Sequence, residues 1–270
     1  MNQTRTADRA GAPSIHYVVS GRGPAVTLVH GVGANLQSWD EVALRLEAHF
    51  TVVRMDLRGH GRSGAIAGAC TLDDLAADVR HVWDDLGLAR SHLAGFSLGG
   101  LIAQSLALSD AVRIGRLAIL SAVAGRTEAE RAKVVGRLKL LAEGGIAAVS
   151  AAAEERWFTP EFRATHPERV KQRMAELMAN DPVSYAAAYT VFATSDLAHR
   201  LAEIRHPTLV ATGENDVGSN TRMARMMHDR IAGSRLVILP GLRHSVLVEA
   251  PDAVAKLFNE HFAADAIPSV

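Results

Sequence analysis

Three residues have the types and the chain order needed for acyl transfer by a side-chain nucleophile: Ser97, Asp216 and His244. A serine hydroxyl is a poor nucleophile at neutral pH. It needs a base to take its proton, and the base needs an acid to orient it. Ser97 sits at the centre of Gly95-Phe96-Ser97-Leu98-Gly99-Gly100, between the strand-like run Ser91-His92-Leu93-Ala94 and a helix-like run from Leu101 to Leu108. Strand, tight turn and helix with a serine at the apex form a nucleophile elbow. The flanking glycines leave the strained turn room that a Cβ would take. The turn lifts the hydroxyl above the sheet edge and aims the Leu98 N–H, at the positive end of the following helix, into the same space. Taken alone, the motif reads equally as a glycine-rich turn with an idle serine.

The later residues decide. Asp216 follows the strand-like run from His206 to Gly213, and His244 lies in the loop after the run Arg235–Leu239. All three therefore fall at carboxyl ends of strands, where ligands bind in open α/β sheets. Asp216 also reads as a turn or capping aspartate, and His244 is one of 12 histidines. Asp56 is a rival acid because it too ends a strand. Its place before Arg58-Gly59-His60-Gly61 suits bracing of that loop, which favours Asp216. A tetrahedral oxyanion needs donors. The Leu98 N–H is one, and the Val32 N–H, in the loop His30-Gly31-Val32-Gly33, is the second; losing one such donor costs about 2.7–4 kcal/mol of transition-state stabilisation. His30 itself reads as a loop histidine satisfied by backbone groups.

The elements that must position these groups follow from hydrophobic patterning. Ser14 to Ser20 alternates as a half-buried strand, while Ala25–His30 and Phe50–Leu57 are nearly continuous apolar runs, as strands covered on both faces should be. Leu117–Leu120 is a further short buried strand. Helical spacing spans Ser38 to His49, with Ser38 and Glu41 as a capping box, and Thr71 to Leu86, with Thr71 and Asp74 as another. Asn220 to Ile231 and Pro251 to Phe262 read as the last helices. Strand and helix alternate, so a mostly parallel, doubly wound sheet is expected. The alternation breaks from about 125 to 195, a stretch of helices only. Thr127 and Glu130 cap one that ends at Gly144-Gly145, the Ala-rich run Ile146 to Phe158 follows, Thr165, Pro167 and Glu168 start another that runs to about Asn180, and Asp181-Pro182 opens a fourth. The expected organisation is a core in two parts, 1–124 and 196–270, with 125–195 inserted as a helical lid.

Composition bounds the rest. The chain has 270 residues, 48% hydrophobic and 21% charged, with 29 basic and 29 acidic residues balancing to zero. That is an ordinary globular composition, and it suggests neither nucleic acid nor an anionic membrane as partner. Cys70 stands alone, so no internal disulfide forms; it reads as an incidental thiol. The polar stretch from Met1 to Ala12 has no apolar core of a signal peptide, and no apolar run reaches the ~18 residues of a membrane span, so a cytoplasmic location is expected. Gly59-His60-Gly61-Arg62-Ser63-Gly64 spells G-x-G-x-x-G, but no helix starts at once after it and the next strand ends in the serine elbow. A dinucleotide site needs the opposite on both counts. The histidines are scattered and give no zinc pattern. No metal or organic cofactor is expected.

Over nearly its full length the chain resembles the α/β-hydrolase superfamily, through His30-Gly31-Val32-Gly33, Asp56-Leu57-Arg58-Gly59-His60-Gly61-Arg62-Ser63, Gly95-Phe96-Ser97-Leu98-Gly99-Gly100, Gly213-Glu214-Asn215-Asp216 and His244. Within it, the chain looks most like the 3-oxoadipate enol-lactonase group and nearby small-acid ester and amide hydrolases. The stretch Glu155-Arg156-Trp157-Phe158-Thr159-Pro160-Glu161-Phe162 is similar to the lid motif of that group. The resemblance implies that Arg156 pairs a substrate carboxylate and Trp157 forms an apolar wall. The chain departs from the family pattern at Val217, where the usual nearby proline is missing, and at Ser245-Val246, where ring-cleavage C–C hydrolases tend to carry an aromatic. Ser97 also sets it apart from relatives that use aspartate as nucleophile, the haloalkane dehalogenases and epoxide hydrolases. The expected activity is hydrolysis of a small carboxylic ester, enol-lactone or related amide through an acyl-enzyme on Ser97. The alternatives are C–C hydrolysis, acyl transfer or perhydrolysis on the same groups, or a non-catalytic ligand receptor on the same fold.

Overall fold

The structure, a computed structural model, describes residues 3–263. Its frame is one sheet of β1 (Gln3–Ala7), β2 (Ile15–Gly21), β3 (Ala25–Val29), β4 (Thr51–Met55), β5 (Ser91–Phe96), β6 (Ile114–Leu120), β7 (Thr208–Gly213) and β8 (Arg235–Leu239). The strand order is β1-β2-β4-β3-β5-β6-β7-β8. β2 is antiparallel to both β1 and β4, and every other pair is parallel. The chain lays β4 on one side of β3 and then returns to lay β5 on the other. The strand order thus reverses between β3 and β5, the switch point where a crevice opens beyond the carboxyl ends.

The sheet is covered on both faces, which is why β3 and β4 are buried at every position. On one face Val26 and Leu28 of β3 pack with α1 (Asp40–Leu46) and α10 (Pro251–Phe262), through Leu46, Phe258 and Phe262. On the other, Val29 and Ile119 pack with α2 (Leu72–Asp85), α3 (Leu98–Ser109) and α8 (Thr221–Arg230), through Leu75, Leu101 and Met223. Each such large side chain taken from water contributes about 1.5–3 kcal/mol.

Between β6 and β7 run α4 (Glu128–Trp157), α5 (Pro160–Thr165), α6 (Pro167–Met178) and α7 (Pro182–Thr194). Thr127 and Glu130 form a reciprocal capping box at 2.7 and 3.2 Å, and the Asp181 carboxylate accepts from the Ser184 N–H at 2.8 Å. The entry and exit of this helical block are tied together. Asp196 accepts from the N–H groups of Gly125 and Arg126 at 2.9 and 3.1 Å, and Arg126 donates to the Phe192 carbonyl at 2.9 Å.

Some local expectations differ from the structure, the start at Thr165 among them: Thr165 ends α5, and His166 stands at the N-cap of α6. Gln3–Ala7 is a strand, although its sequence is polar and four of its five residues are exposed; it is an edge held by pairing with β2. β2 is buried at His16 and Val18 as well as at Ile15 and Tyr17: it lies between β1 and β4, and His16 turns its Nδ1 to Asp56 at 2.7 Å. Ser38 caps no α-helix; it lies in a 3-10 turn, Leu36–Trp39, capped by Asn35, and α1 starts at Asp40. The helix expected to end at Gly144-Gly145 does so, at a break where Gly145 takes φ 65° and ψ −164°, which only glycine adopts without strain, and the Ala-rich helix expected after it runs on to Trp157, the two together making α4.

Candidate active site

β5 delivers Ser97 to the switch point. The turn is tight enough to hold Ser97 at φ 55°, ψ −113°, outside the regions a non-glycine residue favours; such strain costs of order 1–3 kcal/mol and persists where packing over-determines it. The packing here is backbone against backbone. A Cβ on Gly95 would meet the Gly99 carbonyl oxygen at 2.0 Å, and one on Gly99 would meet the Val29 carbonyl oxygen at 2.1 Å.

β7 and β8 deliver the acid and the histidine. Asp216 follows the end of β7 and is buried. One of its carboxylate oxygens accepts from the N–H groups of Gly218 and Ser219, both at 2.9 Å, and the other accepts from His244 Nδ1 at 2.6 Å. Burial alone would raise the Asp216 carboxyl, but the facing imidazole and these hydrogen bonds outweigh it and hold it below the usual carboxylate range. With Nδ1–H committed to Asp216, His244 Nε2 is left as the acceptor nitrogen. The Phe96 ring packs against the imidazole at 4.9 Å between centroids. Ser97, Asp216 and His244 all line one cavity, part of it open to solvent. The Ser97 hydroxyl is not hydrogen-bonded to the imidazole in this arrangement.

Val32 lines the same cavity, and Leu98 is the first residue of α3. Neither N–H donates to a protein acceptor among the described residues. The Val32 loop is fixed by two histidines. His30 Nδ1–H donates to the Gly31 carbonyl at 2.7 Å and its Nε2 accepts from the Leu57 N–H at 3.0 Å. His60 Nδ1–H donates to the Arg58 carbonyl and its Nε2 accepts from the Gly33 N–H, both at 3.0 Å. The rings meet edge to face at 5.3 Å. His30 is therefore a brace, as its sequence reads, and so is His60, whose loop spells the dinucleotide motif. Asp56 is a brace too. It accepts from the N–H groups of Leu36 and Arg62 at 2.8 and 2.9 Å and from His16.

Arg156 and Trp157, at the end of α4, line the cavity. Two arginines that sequence reasoning missed join them: Arg137 from α4, whose Nε donates to the Tyr189 hydroxyl at 2.8 Å, and Arg173 from α6, whose guanidinium lies 4.8 Å over the Trp157 ring. The chain near His244 is stitched to the same helix end. The Ser245 N–H donates to the Trp157 carbonyl at 2.9 Å, and Arg243 donates to the Glu155 and Phe158 carbonyls. Cys70 is half-buried, and desolvation pushes its thiol up to about 11. Among the described residues no three His, Cys, Asp or Glu side chains gather where they could hold a metal ion, and no helix is long and apolar enough to cross a membrane.

An eight-stranded, mostly parallel sheet with helices on both faces is the α/β-hydrolase fold. The chain belongs to the α/β-hydrolase family described as serine aminopeptidase, S33, which matches over residues 22–251. It is 29% identical over 93% of its length to the (E)-2-((N-methylformamido)methylene)succinate hydrolase of Acinetobacter baylyi, 95% of which is covered. It is also 29% identical to 3-oxoadipate enol-lactonase 2 of the same organism, over 91% of this chain and 94% of that one. The crystal structure of the enol-lactonase from Burkholderia xenovorans LB400 superposes with a TM-score of 0.90 at 30% identity, covering 96% of this chain and all of that one. The protein is thus a hydrolase with esterase and enol-lactonase relatives.

Proposed function

We propose that the protein hydrolyses a small carboxylic ester, enol-lactone or related amide through an acyl-enzyme on Ser97. The observation that carries this is the 2.6 Å bond from His244 Nδ1 to Asp216 in the cavity that Ser97 also lines. His244 Nε2 takes the Ser97 proton as Oγ adds to the carbonyl carbon. Asp216 holds the imidazole in that tautomer and stabilises it when charged. The Val32 and Leu98 N–H groups receive the oxyanion, a role for which their lack of protein acceptors leaves them free. As the tetrahedral adduct collapses, His244 returns the proton to the leaving oxygen or nitrogen. A water then repeats the sequence on the acyl-serine, with His244 again as base, and the reaction requires no cofactor. The block 125–195 serves as a lid, with Arg156 meeting a substrate carboxylate and Trp157 walling the cavity. The names of the Acinetobacter relatives, a substituted succinate hydrolase and an enol-lactonase, support a small organic acid as substrate.

Labelling by a fluorophosphonate probe tests the nucleophile directly: the adduct is expected on Ser97. Ser97→Ala is expected to lower p-nitrophenyl acetate turnover by roughly 10⁶. Equal turnover by the variant and the parent protein overturns the assignment.

A further inference from the structure

Three guanidinium groups, those of Arg137, Arg156 and Arg173, line the cavity that holds Ser97. The acid at hand is already engaged: both Asp216 oxygens accept hydrogen bonds, from His244 and from the Gly218 and Ser219 N–H groups. Arg156 has no hydrogen bond or ion pair among the described residues, and it feels the like charge of Arg137. Arg137 is bonded to a neutral partner, the Tyr189 hydroxyl. The Arg173 side chain is only 11% exposed. It lies over the Trp157 ring, Tyr185 of α7 faces it, and its nearest acid is Glu176 at 3.9 Å, beyond hydrogen-bond range. Its Nη1 is buried without a hydrogen-bond partner. Buried cations are retained where something pairs them, and guanidinium forks match carboxylates two bonds at a time.

We infer that the cavity takes a substrate bearing two free carboxylates besides its scissile carbonyl, one held by Arg156 with Arg137 beside it and the second by Arg173 above Trp157. This rests on the proposed hydrolase reading and narrows it from a small acid to a dianionic ester, lactone or amide. Arg173 is then a specificity-determining residue, placed by a helix far in sequence from Arg156. A monoanion leaves one guanidinium unpaired in an enclosed site, so the two classes of substrate are separated by charge count as well as by size.

Binding tests this without relying on turnover. Titration calorimetry on the full chain compares succinate, glutarate and adipate with butyrate, pentanoate and hexanoate, each pair matched in chain length. At least one dicarboxylate is expected to bind about tenfold or more tightly than its partner, the worth of one desolvated charge-assisted pair. Arg173→Gln is expected to bring that ratio to about one, whereas Arg173→Lys, which keeps the cation, retains most of it. Circular dichroism confirms folding of each variant, and if Arg173→Gln does not fold, Arg156→Gln supplies the same comparison from the other carboxylate. Equal affinities within every pair, or no binding of any of the six, overturn the inference. Fluorophosphonate labelling of Ser97 is scored separately. Labelling with no dicarboxylate preference sinks the dianion and leaves the hydrolase, and a preference without labelling does the reverse.

Discussion

Thr159 donates both its N–H and its hydroxyl to the carboxylate of Glu249, at 3.0 and 2.8 Å. The two residues bind the start of α5 to α9 (Val246–Glu249), the short helix directly after His244. The same Thr159 hydroxyl caps α5 by accepting from the Phe162 N–H at 3.2 Å. Helical block and histidine loop are therefore one mechanical unit at this point.

Thr159→Val removes a cap and a hydrogen bond to a half-buried carboxyl in a single step. The expected loss is about 2 kcal/mol, from typical cap and charged hydrogen-bond values. Urea unfolding reads it, and a change within experimental scatter would show that the clamp carries no stability.

Asp216→Asn keeps size and shape but presents an amide nitrogen where His244 Nδ1–H needs an acceptor. The imidazole then turns to the wrong tautomer. Ester turnover is expected to fall about 10⁴-fold with the fold intact, by analogy with the same exchange in other serine hydrolases. A loss below tenfold in a variant with unchanged circular dichroism would remove Asp216 from the proposed machinery.

Acid should loosen the braces of the Val32 loop. Burial, with the neighbouring His60 charge next, lowers His30 from 6.5 to about 3, and burial lowers His60 as well. His261, buried against the Leu117 carbonyl, is lowered to about 4. All three stay neutral when folded at pH values where the unfolded chain takes up protons. Stability is therefore fully present above the unfolded value near 6.5 and falls as pH drops below it towards the lowered folded values, by up to about 1.4 kcal/mol per pH unit each for His30 and His261, with His60 acting in the same direction. Unfolding free energies measured from pH 7.5 to 5 should show this slope; a flat profile would contradict it.

Two glycines should respond in opposite directions. Gly99→Ala drives a Cβ into the Val29 carbonyl, where only backbone could yield, and is expected to cost about 3 kcal/mol or more. Gly136→Ala sits on the exposed side of α4 with open space around it, and should gain about 0.5–1 kcal/mol. Thermal unfolding of the pair checks both signs, and equal effects would refute the close-approach account of the serine turn.

Much of the sheet was legible because burial on both faces writes itself as continuous apolar runs, as in β3 and β4. The capping boxes at Thr71 and Thr127 were equally plain, since each is a local bargain between residues three apart. The edge strand Gln3–Ala7 was not, because its stability comes from pairing with β2 and its exposed side chains carry no apolar signal. Ser38 misled for a related reason: a serine before an acidic residue fits several turn geometries, and Asn35 takes the cap here. The serine, acid and histidine stood out by their places after strands. Arg137 and Arg173 did not, because helical periodicity marks which face is apolar and says nothing about which surface cation a neighbouring helix will enclose.

The kink at Gly145 divides the 30-residue α4 into two rods. Arg137 rides on the first and Arg156 on the second, while Ser97 follows β5 and His244 lies in the loop after β8, which is bonded to the end of the second rod. The gap between those two cations is thus set by a pair of backbone dihedrals that the sheet does not share. Drift at one glycine, or in the length of either rod, can re-space the charges while the serine turn stays untouched. The second rod is tied to the His244 loop through the Trp157 and Glu155 carbonyls, so the break leaves Arg137 as the cation whose spacing can change without moving Arg156 or His244.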